Sequence, residues 1–213
     1  MEFDEFLKSI SKIKNIPLPA ESSHFKMVPP FRRELLKKQE EAIKYAKHAG
    51  VVALFYPDEE GQTKFVLILR NTYNGVHSAQ IGFPGGKLEP HDKSLQHAAI
   101  RETYEEIGVP MHTIEIICEL SQVYIPPSNF YVSPFLGLVN QTPVFKKDED
   151  EVKAIVEVSL QDFLDDKVLI TKKVKTSYSV EVEVPAFLLN GHVVWGATAM
   201  MLSEIKDLLK QEL

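Results

Sequence analysis

Two adjacent glycines followed by a helix-forming segment constrain this chain more than any other feature: Pro84-Gly85-Gly86, then residues 93–107, stopped by Gly108 and Pro110. Residues 80–83 before the turn read as a short strand. Neither glycine carries a Cβ, so the turn is tight and its backbone is open to close approach by a bound oxyanion or metal. The result is a strand, loop and helix unit, which needs a sheet to receive its strand.

The rest of the chain supplies one. Residues 51–56 and 65–69 are β-rich runs joined by Asp58-Glu59-Glu60-Gly61 and read as a hairpin, while 114–120, 132–139 and 152–158 are further strands. Helical patterns occupy 3–15, broken by Pro17 and Pro19, and 33–48, closed by Gly50. Residues 70–79 form a polar loop, Ser159 caps a short helix through Leu164, and 174–184 alternates as one strand. Asn190-Gly191 marks a turn, and 197–213 is a terminal helix. Strands with helices between and after them predict an α/β layer structure, with no repeat or linker.

Length and composition limit the function. At 213 residues the chain fits one domain over 1–213, with a helical N-terminal extension at about 1–48. No apolar run approaches the roughly 20 residues of a membrane-spanning helix. The first residues, Met1-Glu2-Phe3-Asp4-Glu5, are acidic where a secretory leader is basic, and Lys210-Gln211-Glu212-Leu213 is not a peroxisomal address of the Ser-Lys-Leu type, so a cytoplasmic protein is expected. Cys118, the single cysteine, excludes an internal disulfide and reads as a small core residue. A net charge of −6 argues against nucleic acid as a partner. A small anionic substrate then needs local help from metal ions or a few aimed cations. Whether the chain forms a homodimer is open.

Glu102, Glu105 and Glu106, at i, i+3 and i+4, put three carboxylates on one helix face. Like charges at these spacings cost about 0.2–0.5 kcal/mol per pair unless a cation sits against them. A solvated acidic face and a divalent-metal site are both open on the glutamates alone; the glycine turn upstream favours the site, and carboxylate oxygens suit magnesium or manganese. Ala98 and Ala99 read as part of this working face, with Ile100, Tyr104 and Ile107 on the opposite, core-facing side.

Residues 86–109, with Gly85-Gly86, Ala98-Ala99, Arg101-Glu102, Glu105-Glu106 and Gly108, resemble the Nudix box. The gap from glycine to arginine is one residue longer than in the general box, and Asp92 stands where glutamate is usual. The coenzyme A pyrophosphatase branch shows that same spacing. Three more stretches resemble that branch: 67–86 with Arg70, His77, Gln80, Phe83 and Pro84; Ser133-Pro134-Phe135; and Trp195-Gly196-Ala197-Thr198-Ala199. Gly75 and Ala79 depart from it, replacing a usual arginine and glycine. Arg32, Arg33 and Lys146-Lys147 are substitute cations or plain surface charges.

The resemblance implies a Nudix-type α/β/α sandwich around a mixed sheet and metal-dependent hydrolysis of the diphosphate linkage of coenzyme A or acyl-CoA to 3′,5′-ADP and 4′-phosphopantetheine. Another nucleoside diphosphate derivative, or a nucleotide sensor without turnover, is the alternative. It implies Mg2+ or Mn2+ on Glu102, Glu105, Glu106 and the carbonyl of Gly85, with Arg101 orienting the glutamates or else pairing with Glu105 as an ordinary surface arginine. Glu151, in the acidic loop 148–151, is the candidate general base or a solvated loop residue. Arg70, His77, Gln80, Phe83 and Gly86 are the candidate substrate contacts, His77 and Gln80 having structural readings too. Asp92 is a helix N-cap or a metal contact, and Trp195 is expected to pack in the core.

Overall fold

A computed structural model describes residues 1–29, 40–71, 80–175 and 181–212. Its centre is β1 (Lys47–Pro57), a run of small, β-branched and aromatic residues buried on both faces from Ala49 to Tyr56. β2 (Thr63–Arg70) pairs with it antiparallel, Phe55 opposite Phe65, across the expected Asp58–Gly61 turn. On the other side β7 (Phe130–Leu138) runs parallel to β1. β3 (Ile81–Gly82), β4 (Gly85–Lys87), β5 (Glu115–Glu119), β6 (Val123–Ile125) and β8 (Val152–Ser159) complete an eight-stranded mixed sheet, β8 and β3 on β2, β4 on β1, β5 and β6 on β7.

Alternation along β1 splits the core in two. Val51, Ala53 and Phe55 face the layer containing helix α1 (Phe3–Ile13) and the terminal helix (Ala197–Glu212), while Val52, Leu54 and Tyr56 face the helix of residues 95–107. Helices therefore cover both faces of a mixed sheet, the α/β/α sandwich expected. The first face is aromatic-rich: Phe6, Phe55, Phe65, Phe163 and Phe187 form a chain of rings with centroids 5.0–5.6 Å apart. The N-terminal segment is fastened to it by Ala20 N–H and His24, which meet the buried carboxylate of Glu204 on the terminal helix, where Ser121, just ahead of β6, donates as well.

Two expectations change. Gly50 does not end a helix; it lies inside β1, and the described helical part of 33–48 is the single turn Glu40–Ile43. Gly50 reads as a stop on its own, but its neighbours Val51 and Val52 continue a strand backwards through it. The described residues of 174–184 fall in two strands, β9 (Leu169–Lys175) and β10 (Glu181–Leu189), antiparallel in a separate three-stranded sheet with β11 (His192–Val194). One alternating pattern spans both because paired strands share the same period. The Asn190-Gly191 turn joins β10 to β11 with both residues at positive φ, 49° and 79°. No helix among the described residues is long and apolar enough to cross a membrane.

Candidate active site

The helix of residues Leu95–Ile107 starts at Ser94, whose hydroxyl accepts the His97 N–H at 3.1 Å, and ends at Gly108 in the left-handed conformation, φ 78°. Asp92 is therefore not its N-cap. The helix rests directly on β1: a Cβ on Gly50 would collide with the Leu95 carbonyl and touch the Ala99 methyl. Ala98, Ala99, Thr103, Glu106 and Ile107 are all buried, and Tyr104 is exposed. This reverses the expected faces for the alanines and Tyr104, because close contact with a flat strand selects small side chains. It also carries Glu106 into the interior.

Glu106 is 1% exposed. Its Oε2 accepts the Gly85 N–H at 2.8 Å, and Oε1 lies 3.0 Å from Arg70 Nη1 yet accepts no well-aligned hydrogen bond from a described group. Burial pushes its carboxyl up to about 7, Glu102 and Glu151 adding to the rise, with Arg70 and the Gly85 N–H opposing it. Glu102, one turn earlier, is also raised, by burial first, with Arg101 opposing. Oxygens of Glu102, Glu106 and Glu151 all lie within 4.8 Å of one another. Glu151 reaches them from the loop ahead of β8, where Asp148 accepts the Asp150 and Glu151 N–H groups and shapes the turn.

The glycines shape the space in front of this cluster. Gly85 sits at φ 140°, packed on Gly50 and Val51 of β1, and a Cβ on Gly86 would strike the Glu102 carboxylate. Three clustered carboxylates, one with an orphaned buried oxygen, beside a glycine carbonyl form a hard-oxygen donor set suited to Mg2+ or Mn2+. The residues present thus fit a divalent ion.

Arg101 braces the arrangement from the outer side. Its Nε and Nη2 donate to the two oxygens of Asp92 at 3.0 and 2.9 Å, and Nη1 donates to Glu102 at 3.2 Å and Glu105 at 2.7 Å. The fork holds the fully buried Asp92 carboxylate well below the usual carboxylate range, and Asp92 raises the guanidinium in return. Glu105, half exposed, stays with Arg101 and is outside the three-carboxylate cluster. The structure thus brings together Glu102, Glu106 and Glu151 rather than Glu102, Glu105 and Glu106.

The other candidates fall in different places. Arg70 Nη2 donates to the Gly85 carbonyl at 2.9 Å. Phe83 is buried in the aromatic-rich core, leaving its ring no surface for a substrate contact. Gln80 and a half-buried Trp195 line a cleft of about 230 Å3 with Leu69, Ile81 and His192, so Trp195 is not wholly in the core. Thr198, from the same C-terminal motif, donates to the Ile81 carbonyl at 3.0 Å and props the strand that leads into the glycine turn. Lys147 is paired with Glu149, and Cys118 is half-buried, its thiol raised by burial and by Glu204. His77, Gly75, Ala79, Arg32 and Arg33 lie outside the described residues. The sequence reading missed the Asp92–Arg101 fork and the Arg70–Glu106 pair; the lengthened glycine-to-arginine gap was the signal for the first.

A NUDIX domain profile matches residues 46–178, which take in the turn, the helix and Glu151. The chain belongs to the Nudix family. Among its relatives, an uncharacterized Nudix hydrolase NudL of Yersinia enterocolitica is 34% identical over 99 residues, 46% of this chain and 50% of that one. Nudix hydrolase 3 of Caenorhabditis elegans is 27% identical over 168 residues, 72% of this chain and 70% of that protein. The chain therefore spans half the length of the Yersinia relative it matches. A solved MutT/nudix family protein from Enterococcus faecalis superposes with a TM-score of 0.49 at 18% identity, covering 83% of this chain and 68% of that one.

Proposed function

We propose that this Nudix chain is a metal-dependent hydrolase that cleaves the diphosphate linkage of a nucleoside diphosphate derivative, with coenzyme A or acyl-CoA as the favoured substrate. The observation that carries the reaction class is the cluster of Glu102, Glu106 and Glu151, with the orphaned, buried Oε1 of Glu106. The substrate rests on the resemblance of residues 67–86 and of the Trp195–Ala199 motif to the coenzyme A branch, two stretches joined by the Thr198–Ile81 hydrogen bond.

Glu102, Glu106, Glu151 and the Gly85 carbonyl would hold Mg2+ or Mn2+. Such an ion supplies charge neutralisation at the diphosphate and acidifies a bound water. Arg101, fixed by Asp92, keeps Glu102 aimed across the glycine turn, and the absence of a side chain at Gly86 leaves that carboxylate room. Glu151, exposed on the opposite loop, accepts the proton of the attacking water in this reading.

The test is product analysis of coenzyme A incubated with wild type and Glu106→Gln, with and without Mg2+ or Mn2+. Release of 3′,5′-ADP and 4′-phosphopantetheine only by metal-supplied wild type supports the proposal. Equal or faster cleavage of ADP-ribose would move the substrate to another nucleoside diphosphate derivative, and tight nucleotide binding without metal-stimulated product would make the chain a sensor. Glu151→Gln separates ligand from base: loss of a ligand raises the metal concentration needed, whereas loss of the base flattens the rate–pH profile at saturating metal.

A further inference from the structure

Arg70 closes a ring around the groups that a cation would use. The Gly85 N–H donates to Glu106 Oε2 at 2.8 Å, Glu106 Oε1 faces Arg70 Nη1 at 3.0 Å, and Arg70 Nη2 returns to the Gly85 carbonyl at 2.9 Å. Arg70 is the last residue of β2, where the pairing with β8 shifts register after Leu69. That irregularity, together with the Arg70 N–H bond to Gln80 at 3.1 Å, fixes the backbone from which the guanidinium reaches in. The side chain of Arg70 is 26% exposed and that of Glu106 only 2%, so the arginine meets solvent where the carboxylate does not.

We propose that Arg70 is a positioning residue and an internal competitor for the metal site: its guanidinium and a divalent cation are alternative partners of the Gly85 carbonyl and the Glu106 carboxylate. The inference rests on the metal-site reading above and departs from the expectation that Arg70 contacts substrate. Two physical facts support it. A carboxylate buried this deeply needs a positive partner, because an unpaired buried charge is among the costliest features a fold can carry. The Nη1 contact with Oε1 is also close in distance but poorly aligned, so this oxygen keeps capacity for a better ligand. A guanidinium offers only N–H donors and cannot share an oxygen's lone pair with a metal along the same direction.

The consequence is a trade. Arg70 stabilises the site against its own like charges, and the arriving cation must displace it from at least one oxygen. The experiment measures Mn2+ binding by electron paramagnetic resonance, and melting in EDTA and in excess Mn2+, for wild type, Arg70→Gln and Arg70→Lys. Removing a unit positive charge next to a dication should tighten Mn2+ binding on the order of tenfold in Arg70→Gln. The same variant should melt lower than wild type in EDTA and regain most of the difference in Mn2+, with the KM for substrate little changed at saturating metal. Arg70→Lys, which keeps the charge but cannot span both oxygens, should fall between the two and guards against loss of the fold in the first variant. Weaker or unchanged Mn2+ binding in Arg70→Gln, or a raised KM with unchanged Mn2+ binding, overturns the proposal; the second outcome assigns Arg70 to the substrate. Failure of wild type itself to bind Mn2+ sinks the metal-site reading instead.

Discussion

Asp92 and Glu106 are carboxylates of one strand, turn and helix unit, both inaccessible to solvent, and their surroundings are opposite in kind. Both oxygens of Asp92 are engaged by Arg101, His97 contacts one and the Glu89 N–H the other, and its carboxyl is held low. Glu106 has one oxygen bonded and one poorly served, two carboxylates for neighbours, and a carboxyl pushed up to about 7. A saturated buried charge holds structure together; an undersupplied one is held in place by structure. The helix and turn make Asp92 a bracket and Glu106 a socket.

The largest effect that distinguishes them is on turnover. Glu106→Gln keeps the shape and removes the charge, so metal-dependent hydrolysis should fall on the order of a thousandfold. Its melting temperature in EDTA should be equal to or above that of wild type, since the substitution removes a charge that burial penalises. A fall in melting temperature together with near-normal turnover would mean that Glu106 is structural and the contrast is false.

Asp92→Asn should do the reverse. Arg101 is 9% exposed, and Asp92→Asn removes the charge that its Nε and Nη2 pair with, leaving Glu102 and Glu105 at Nη1, a change expected to cost about 1–3 kcal/mol of stability. Denaturant unfolding measures that cost directly. Activity should drop as well, by roughly 10–100-fold, because Arg101 no longer holds Glu102. Turnover lost without any loss of stability would make Asp92 part of the reacting centre rather than its bracket.

A smaller effect tests how the socket is seated. Gly50→Ala places a methyl against the Leu95 carbonyl and Ala99, forcing the helix off β1 at an expected cost of about 1–3 kcal/mol. The displacement lies at the first turn of the helix, opposite Gly86, so metal affinity should weaken along with stability. Unchanged Mn2+ binding in a destabilised Gly50→Ala would show that the cluster does not depend on this contact.

These particulars explain what could be read in the sequence. The glycine pair, the helix and the acidic spacing are local, and local chemistry set the strand, turn and helix unit and its carboxylates. What was lost depends on partners distant in the chain. Glu106 and Glu105 are indistinguishable by composition; only the packing of Ala99 on Gly50 turns one inward and leaves the other with Arg101. Phe83 looks like a substrate contact within its motif but points into a core contributed by other elements. Glu151 is brought to the helix by long-range bonds of its loop, from Asn71 at the end of β2 to Glu149, Asp150 and Glu151, and from the Lys146 and Asp148 N–H groups to the Ile107 and Glu106 carbonyls.

The pH dependence of stability in EDTA sharpens the same contrast through its sign. Glu106 has a folded pKa near 7, above its unfolded value, so the folded state takes up a proton first and stability should rise as pH falls from about 8 toward 5. Asp92 has a folded pKa below its unfolded value, so its contribution is complete above roughly pH 4 and is lost as pH falls further. Wild type should therefore show a rise and then a fall, with a maximum near pH 5. Glu106→Gln should lose most of the rise, the raised Glu102 supplying what remains, and keep the fall, while the gap between wild type and Asp92→Asn should stay open down to about pH 4 and narrow below it. Denaturant midpoints at unit pH steps from 8 to 3 measure both limbs. A rise that survives undiminished in Glu106→Gln would place the titrating group elsewhere, and a gap of constant width down to pH 3 would mean that the Asp92 charge adds nothing to the fork beyond its shape.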